Sequence, residues 1–310
     1  MKILLSNNRK RYKANLHCHT TLSDGNHSPE EIKELYKKNG YHIVAFTDHD
    51  KFIPQNQLTD NEFLALNGVE FAINQKNIAR IQNQKTYHFN ALASRPSMND
   101  YPPLPDIDYN DINAINKYLM HLSAKGFLLC YNHPWWSLQS FNDYANLDGI
   151  FAMEIYNHNC QVEDGFCGYN PQVYDEMLRQ NQRIFAISAD DNHNAFLPDS
   201  PYYDSFGGWV MINSESLAYE DVIKSLKLGD FYSTQGPDIL YIALKEKQLT
   251  IKCSACSEIK VYTDGRTCYT AFGKNLTEVT FNIKTTHRYL RIVCRNEFGK
   301  EANSNAYFLS

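Results

Sequence analysis

No apolar run in this sequence approaches the ~18 residues that a bilayer-spanning helix needs, so nothing in it predicts a membrane protein. A basic excess is also missing. The 310 residues carry a formal charge of −5, whereas a nucleic-acid-binding surface normally shows the opposite balance. That charge does not argue against a phosphorylated substrate, because metal ions supply local positive charge that a formal count omits. The short apolar start Met1–Leu5 comes before the basic segment Arg9-Lys10-Arg11, the wrong order for a secretory leader, and a cytoplasmic protein is the expectation. Eight cysteines are scattered along the chain, which reads as reduced thiols. Cys253-Ser-Ala-Cys256 has the spacing of half a zinc knuckle. The second Cys-x-x-Cys pair is absent and Cys268 and Cys294 stand alone, so no structural zinc is expected there.

What the chain does have is histidine and carboxylate at the ends of apolar runs. The first case is Asn15-Leu16-His17-Cys18-His19-Thr20-Thr21-Leu22-Ser23-Asp24-Gly25. In extended backbone, residues i and i+2 point to one side, so His17 and His19 can reach one metal ion together. The spacing alone is weak evidence, since a histidine often sits satisfied at a strand end. Partners have to come from elsewhere in the chain.

They recur in order. Ser28-Pro29-Glu30-Glu31 predicts a capped helix start, with Gly40 at its end. The strand-like run His42–Phe46 then closes on Thr47-Asp48-His49-Asp50. Glu70 follows Gly68-Val69, residues 74–85 read as a solvated excursion, and His88 lies on one face of the run Tyr87–Leu92. A helix capped by Asp111 and ended by Gly126 precedes Phe127–Tyr131, which leads into Asn132-His133-Pro134-Trp135-Trp136. Further runs deliver Glu154 with Asn157 and His158, and then Asp190-Asp191-Asn192-His193.

Strands and helices thus alternate about seven times up to residue 237, which predicts a parallel sheet, open or closed into a barrel. Polar clusters at successive strand ends favour the barrel, where such ends converge on a common site. From residue 238 to 310, short β-like runs predict a small all-β, sandwich-like domain. Within it, Arg291, Val293 and Arg295 share one face of a half-exposed strand, and Leu290, Ile292 and Cys294 share the other.

His17, His19, Asp24, His49, Glu70, His88, His133, Asp191 and His193 are the candidate metal ligands. Burying so many ionisable groups separately would cost several kcal/mol for each unpaired charge. Two or three divalent cations remove that cost, and nitrogen and oxygen donors suit Zn, Mn or Fe. His88 could instead be a core residue, and Asp190 competes with Asp191. Asp48 is expected to orient His17 or His49. Glu154, Asn157 and His158 are candidate substrate contacts, Arg95 a candidate phosphate grip, and Trp135 and Trp136 candidate pocket walls. His158 is also a possible acid for the leaving group.

These motifs together resemble the polymerase-and-histidinol-phosphatase (PHP) family of metal-dependent phosphoesterases. The resemblance rests on His17-Cys18-His19 with Asp24-Gly25, Thr47-Asp48-His49, Gly68-Val69-Glu70, Asn132-His133-Pro134 and Asp191-Asn192-His193. It implies a distorted (β/α)7 barrel over residues 1–237. It also implies three ions: one at His17, His19 and Asp191, sharing Glu70 with a second at His88 and His133, and a third at Asp24, His49 and His193. Trp209–Asn213 and Tyr232–Pro237 are similar to a branch with a C-terminal β domain that includes carbaryl hydrolase-like members. The implied activity is hydrolysis of a small phosphomonoester by hydroxide generated from water at the metals. Hydrolysis of a carboxylic or carbamate ester at the same site is the alternative, and a non-catalytic scaffold the third.

Overall fold

The computed structural model describes residues 1–6, 8–163, 165, 167–284 and 286–309. The chain begins with strands β1 (Lys2–Leu5) and β2 (Lys10–Asn15), followed by helix α1 (Pro29–Lys38). Helix α1 starts where the sequence places it. Ser28 Oγ accepts from Glu31 N at 3.2 Å, and Glu31 Oε2 accepts from Ser28 N at 2.8 Å, closing a capping box. Strands β3 (Ile43–Phe46), β4 (Leu64–Asn74) and β5 (Thr86–Ala93) follow, then α2 (Ile112–Lys125), β6 (Phe127–Tyr131), α3 (Phe141–Tyr144) and β7 (Ala152–Asn157). Asp111 caps α2 through Ala114 N at 3.0 Å, and Gly126, at φ 106°, ends it. The α/β part finishes with α4 (His158–Val162), α5 (Pro171–Arg179), β8 (Phe185–Ala189), β9 (Trp209–Ser214), α6 (Tyr219–Leu228) and β10 (Phe231–Thr234).

Two parallel triplets, β2-β3-β4 and β6-β7-β8, flank β5, which runs antiparallel to both its neighbours. The reversal has a simple origin. A parallel return from β4 needs a crossover of about a dozen residues or more, usually a helix, and the polar stretch after β4 holds only one short 3-10 turn.

Side chains from all eight strands β2 to β9 meet in one interior cluster, among them Ala14, Ile43, Leu64, Leu92, Leu128, Ala152, Ile187 and Val210, with Val222 and Leu226 of α6 against them. The sheet is therefore curled. It is not the closed (β/α)7 barrel expected: the strand ladder ends at β8, which pairs only with β7 among the described residues. A single isolated bridge, Cys18 to Asn192, ties the segment after β2 to the segment after β8.

The all-β region contains β11 (Ile239–Lys245), β12 (Gln248–Thr263), β13 (Cys268–Asn282), β14 (Tyr289–Arg295), β15 (Glu301–Ser304) and β16 (Tyr307–Phe308). Its ladder is continuous with the rest, because β1 pairs with β11 and β15 pairs with β10. Arg291, expected on an exposed face, is 2% exposed and grips Asp175 of α5 with two bonds of 2.6 and 2.7 Å. It fastens β14 to the α/β part. Among the described residues, no helix is long and apolar enough to cross a membrane.

Candidate metal centre

His17 and His19 follow β2 in extended backbone, and Cys18 between them turns away to pack with Ile32, Tyr36 and Val44. The bridge at Cys18 also sets the opposite side of the centre. His19 N donates to Asn192 O at 3.1 Å, and Asp191 N donates to His17 O at 3.0 Å. Glu70 projects from β4, and His88 comes from the early part of β5, which the strand reversal brings to the same end of the sheet. His133 and Asp191 both adopt positive φ, 25° and 55°. Backbone of this kind in residues other than glycine costs about 1–3 kcal/mol and is often retained at functional sites.

All nine candidate ligands come together, in three overlapping groups. The first contains His17, His19, Glu70 and Asp191; the second Glu70, His88 and His133; the third His19, Asp24, His49 and His193. Asp191 Oδ1 lies 2.9 Å from His17 Nε2 and 3.0 Å from His19 Nε2. Glu70 Oε2 is 3.3 Å from both of those nitrogens and 3.1 Å from His49 Nδ1. Its Oε1 is 3.0 Å from His88 Nδ1 and 3.4 Å from His133 Nε2. Asp24 stands 3.6 Å from His49 and His193, at the open side.

Hydrogen bonds behind the histidines orient them. Glu154 Oε1 accepts from His17 Nδ1 at 2.7 Å, so His17 Nε2 faces the centre. His193 Nδ1 donates to Asp191 O at 2.9 Å, which turns its Nε2 to Asp24. Asn132 Nδ2 donates to Glu70 Oε1 at 2.9 Å, and Asn157 Nδ2 donates to Asp191 Oδ2 at 3.0 Å. Metal-binding imidazoles and carboxylates typically carry such partners.

This arrangement fits cations. The inward nitrogen of His17 points at two carboxylates, and buried His19 Nδ1 and Asp191 Oδ1 have no well-aligned hydrogen-bond partner. In the metal-free chain, protons have to balance the charge. Burial opposes the imidazolium of His17, yet Asp191, Glu70 and Glu154 outweigh it and hold its pKa well above the ordinary value. At His19 burial is likewise overcome by the neighbouring Asp191 and Glu70 carboxylates, raising the pKa to about 9. Glu70, despite its burial, is held well below the usual carboxylate range by His17 and His88. A divalent ion supplies the same positive charge and satisfies nitrogen and oxygen donors together.

The adjoining cavity of about 260 Å³ is lined by Asp24, His49, Glu70, His88, His133, Trp136, Asn159, Cys160, Asp191 and His193. Trp136 sets its ring edge-on to His133 and His88, at 4.9 and 5.5 Å between centroids, and is the wall anticipated. Trp135 is exposed.

Other expected roles change. Asp48 bonds to the N–H and hydroxyl groups of Thr20 and Ser23, not to a histidine, and so holds the loop carrying Asp24. Glu154 and Asn157, expected to contact substrate, are fully buried and act behind His17 and Asp191. His158 is not among the residues that line the cavity; its ring lies against Gly207 and its Nδ1 is 2.8 Å from Tyr156 Oη. Arg95 follows the end of β5, and because β5 is reversed it is exposed at the opposite end of the sheet. Asp190 accepts from the N–H groups of Phe206, Gly207 and Gly208, leaving the centre to Asp191. Asn159 and Cys160 are the cavity residues that sequence reasoning missed, since one asparagine and one cysteine in a short helix carry no signal. Asn132 was visible within the Asn-His-Pro motif, but without a role.

Comparison with known proteins places these residues in context. A family model for the PHP domain matches residues 15–192, a span that carries every candidate ligand except His193. Among solved structures, a two-domain protein from Bacteroides vulgatus ATCC 8482, described as containing a predicted PHP-like metal-dependent phosphoesterase, aligns with a TM-score of 0.51 and 16% identity. That alignment covers 96% of this chain and 94% of the other. A protein from Bifidobacterium adolescentis ATCC 15703, provisionally described as a metal-dependent phosphoesterase, aligns with a TM-score of 0.40 at 15% identity, over 62% of this chain and 91% of that one. An amidohydrolase from Chromobacterium violaceum with bound sulfate and no metal gives 0.40 at 13% identity, over 58% and 87%. No curated protein matches the sequence.

Proposed function

The chain belongs to the PHP domain family, and we propose that it is a metal-dependent phosphoesterase that hydrolyses a small phosphomonoester. The observation that carries this reading is the chain of three ligand groups linked through Glu70 and His19. Two or three divalent ions, of the Zn, Mn or Fe class, would be held by those groups. When bound they supply Lewis acidity and a nucleophile drawn from water near neutral pH.

The protein's own part is positioning. Glu154 and Ser137 engage the Nδ1 atoms of His17 and His133, so that both imidazoles present Nε2 inward. Asn132 and Asn157 fix the inner carboxylates. Asp48 holds the loop from Thr20 to Ser23, and so the approach of Asp24. The cavity is small, below the ~300 Å³ common for drug-sized ligands, so it suits the ester group and little more. Trp136 walls one side of the cavity, and Asn159 contributes a neutral amide to its lining.

A second reading has an observation of its own. The described cavity lining includes no lysine or arginine and does include Trp136, a surface that equally accepts a neutral carboxylic or carbamate ester. One experiment addresses both readings. Wild type, His17→Ala and Glu70→Ala are assayed with Mn²⁺ on aryl phosphate, aryl carboxylate and aryl carbamate esters. Phosphate turnover that both substitutions abolish supports the phosphoesterase. Turnover confined to the other esters moves the assignment to them, and activity undiminished in both variants removes the centre from the chemistry.

A further inference from the structure

A second cluster of metal-binding side chains lies in the all-β region, away from the histidines. The sulfur atoms of Cys253, Cys256 and Cys294 lie within 4.8 Å of one another, and all three residues are buried. In a regular strand, residues three apart point to opposite faces. Here the register of β12 against β13 slips between Lys252 and Cys256 and again between Cys256 and Glu258. Inward positions accordingly run Leu249, Ile251, Cys253, then Cys256, then Ile259 and Val261. The two irregularities turn Cys256 to the side already occupied by Cys253, and β14 adds Cys294 from the face it shares with Leu290 and Ile292. Bulges that re-aim a side chain in this way are often features of a site. Packing alone does not require them, since a thiol serves as a small hydrophobe at any regular inward position.

We propose that Cys253, Cys256 and Cys294 form a binding site for one thiophilic d10 cation. Sulfur donors select soft ions such as Cu(I) and Zn(II). Among the described residues, no imidazole or carboxylate joins the three sulfurs as a fourth ligand. Zinc prefers four ligands, so the set favours Cu(I). Binding releases to solvent one proton for each sulfur that coordinates as thiolate, and no electron is transferred. The ion would join β12 to β14 within the core of the β region. The Cys-x-x-Cys pair becomes part of a site because Cys294, distant in sequence, arrives by strand pairing.

The test is an anaerobic titration of the full chain with Cu(I) delivered from a competing chelator, in a Cys268→Ser background that removes the exposed thiol. One tightly held equivalent is expected, with thiolate-to-metal charge-transfer absorption. Cys256→Ser and Cys294→Ala should each lose it while ester hydrolysis at the histidine centre persists. X-ray absorption on the copper-loaded parent needs no substitution and should show a sulfur-only shell. Absence of a tight equivalent, a shell dominated by nitrogen or oxygen, or binding unchanged in folded Cys256→Ser overturns the proposal.

Discussion

Glu154→Gln isolates how the centre is held. Glu154 is fully buried, and its two oxygens meet only donors: His17 Nδ1 at 2.7 Å, His133 N at 3.0 Å and Asn157 Nδ2 at 2.9 Å. Glutamine has nearly the same shape but replaces one acceptor with an amide donor. Whichever way that amide turns, an N–H faces an N–H, either at His17 or at the His133–Asn157 pair. A buried donor left unpaired costs about 1–3 kcal/mol. His17 can escape only by taking its proton on the other nitrogen, which removes the lone pair a metal needs. Partners behind metal-binding histidines are typically worth 10–100-fold in affinity, or about 1.4–2.7 kcal/mol, so the two estimates agree. The assay is calorimetric titration of metal-free protein with Mn²⁺ or Zn²⁺. A weakening of about 10–100-fold is expected, with folding retained. Affinity within about threefold of wild type would refute the role argued for Glu154.

Other substitutions probe separate parts of the account. Gly25→Ala would put a Cβ 2.5 Å from His19 O and 2.7 Å from Thr20 N. Neither backbone atom can move without His19, so metal uptake should fall and stability drop by about 1–3 kcal/mol in chemical denaturation. Arg95→Ala should leave kcat and KM within about twofold, because Arg95 is exposed at the end of the sheet opposite the cavity. Burial, helped by Lys300, lowers the pKa of His158 from 6.5 to about 4. Between those values the unfolded chain binds a proton that the folded chain does not, so the contribution is complete above pH 6.5 and is lost as pH falls toward 4. Wild type should therefore lose about 2–3 kcal/mol more than His158→Gln across that window in urea unfolding. Equal slopes would contradict the buried, neutral imidazole.

Much of the centre was legible because its ligands stand in short motifs at the ends of apolar runs, and the sheet brings such ends together. The capping box at Ser28 and the caps at Asp111 and Gly126 were legible for a local reason, since each depends on a few neighbouring residues. What a linear reading missed was direction and depth. Helix–strand alternation implied parallel strands throughout, yet β5 runs backwards, which brings His88 into the centre and carries Arg95 away from it. Nor does a carboxylate announce whether it will face solvent or stand behind a histidine. Glu154 and Asp48 hold other protein groups, and that follows only from packing in three dimensions. The Cys253 and Cys256 pair was discounted for want of partners, because strand register and two bulges are not visible in the spacing of residues.

The central claim is that the three groups around Glu70, His19 and Asp191 bind the ions that make the protein a hydrolase. The most direct measurement is an anomalous difference map from crystals of the full chain grown with Mn²⁺. Peaks in at least two of the three groups, with Glu70 between two of them, are the predicted result. A map with Mn²⁺ bound elsewhere and no peak in any group, from protein that hydrolyses an ester under the same conditions, would contradict it.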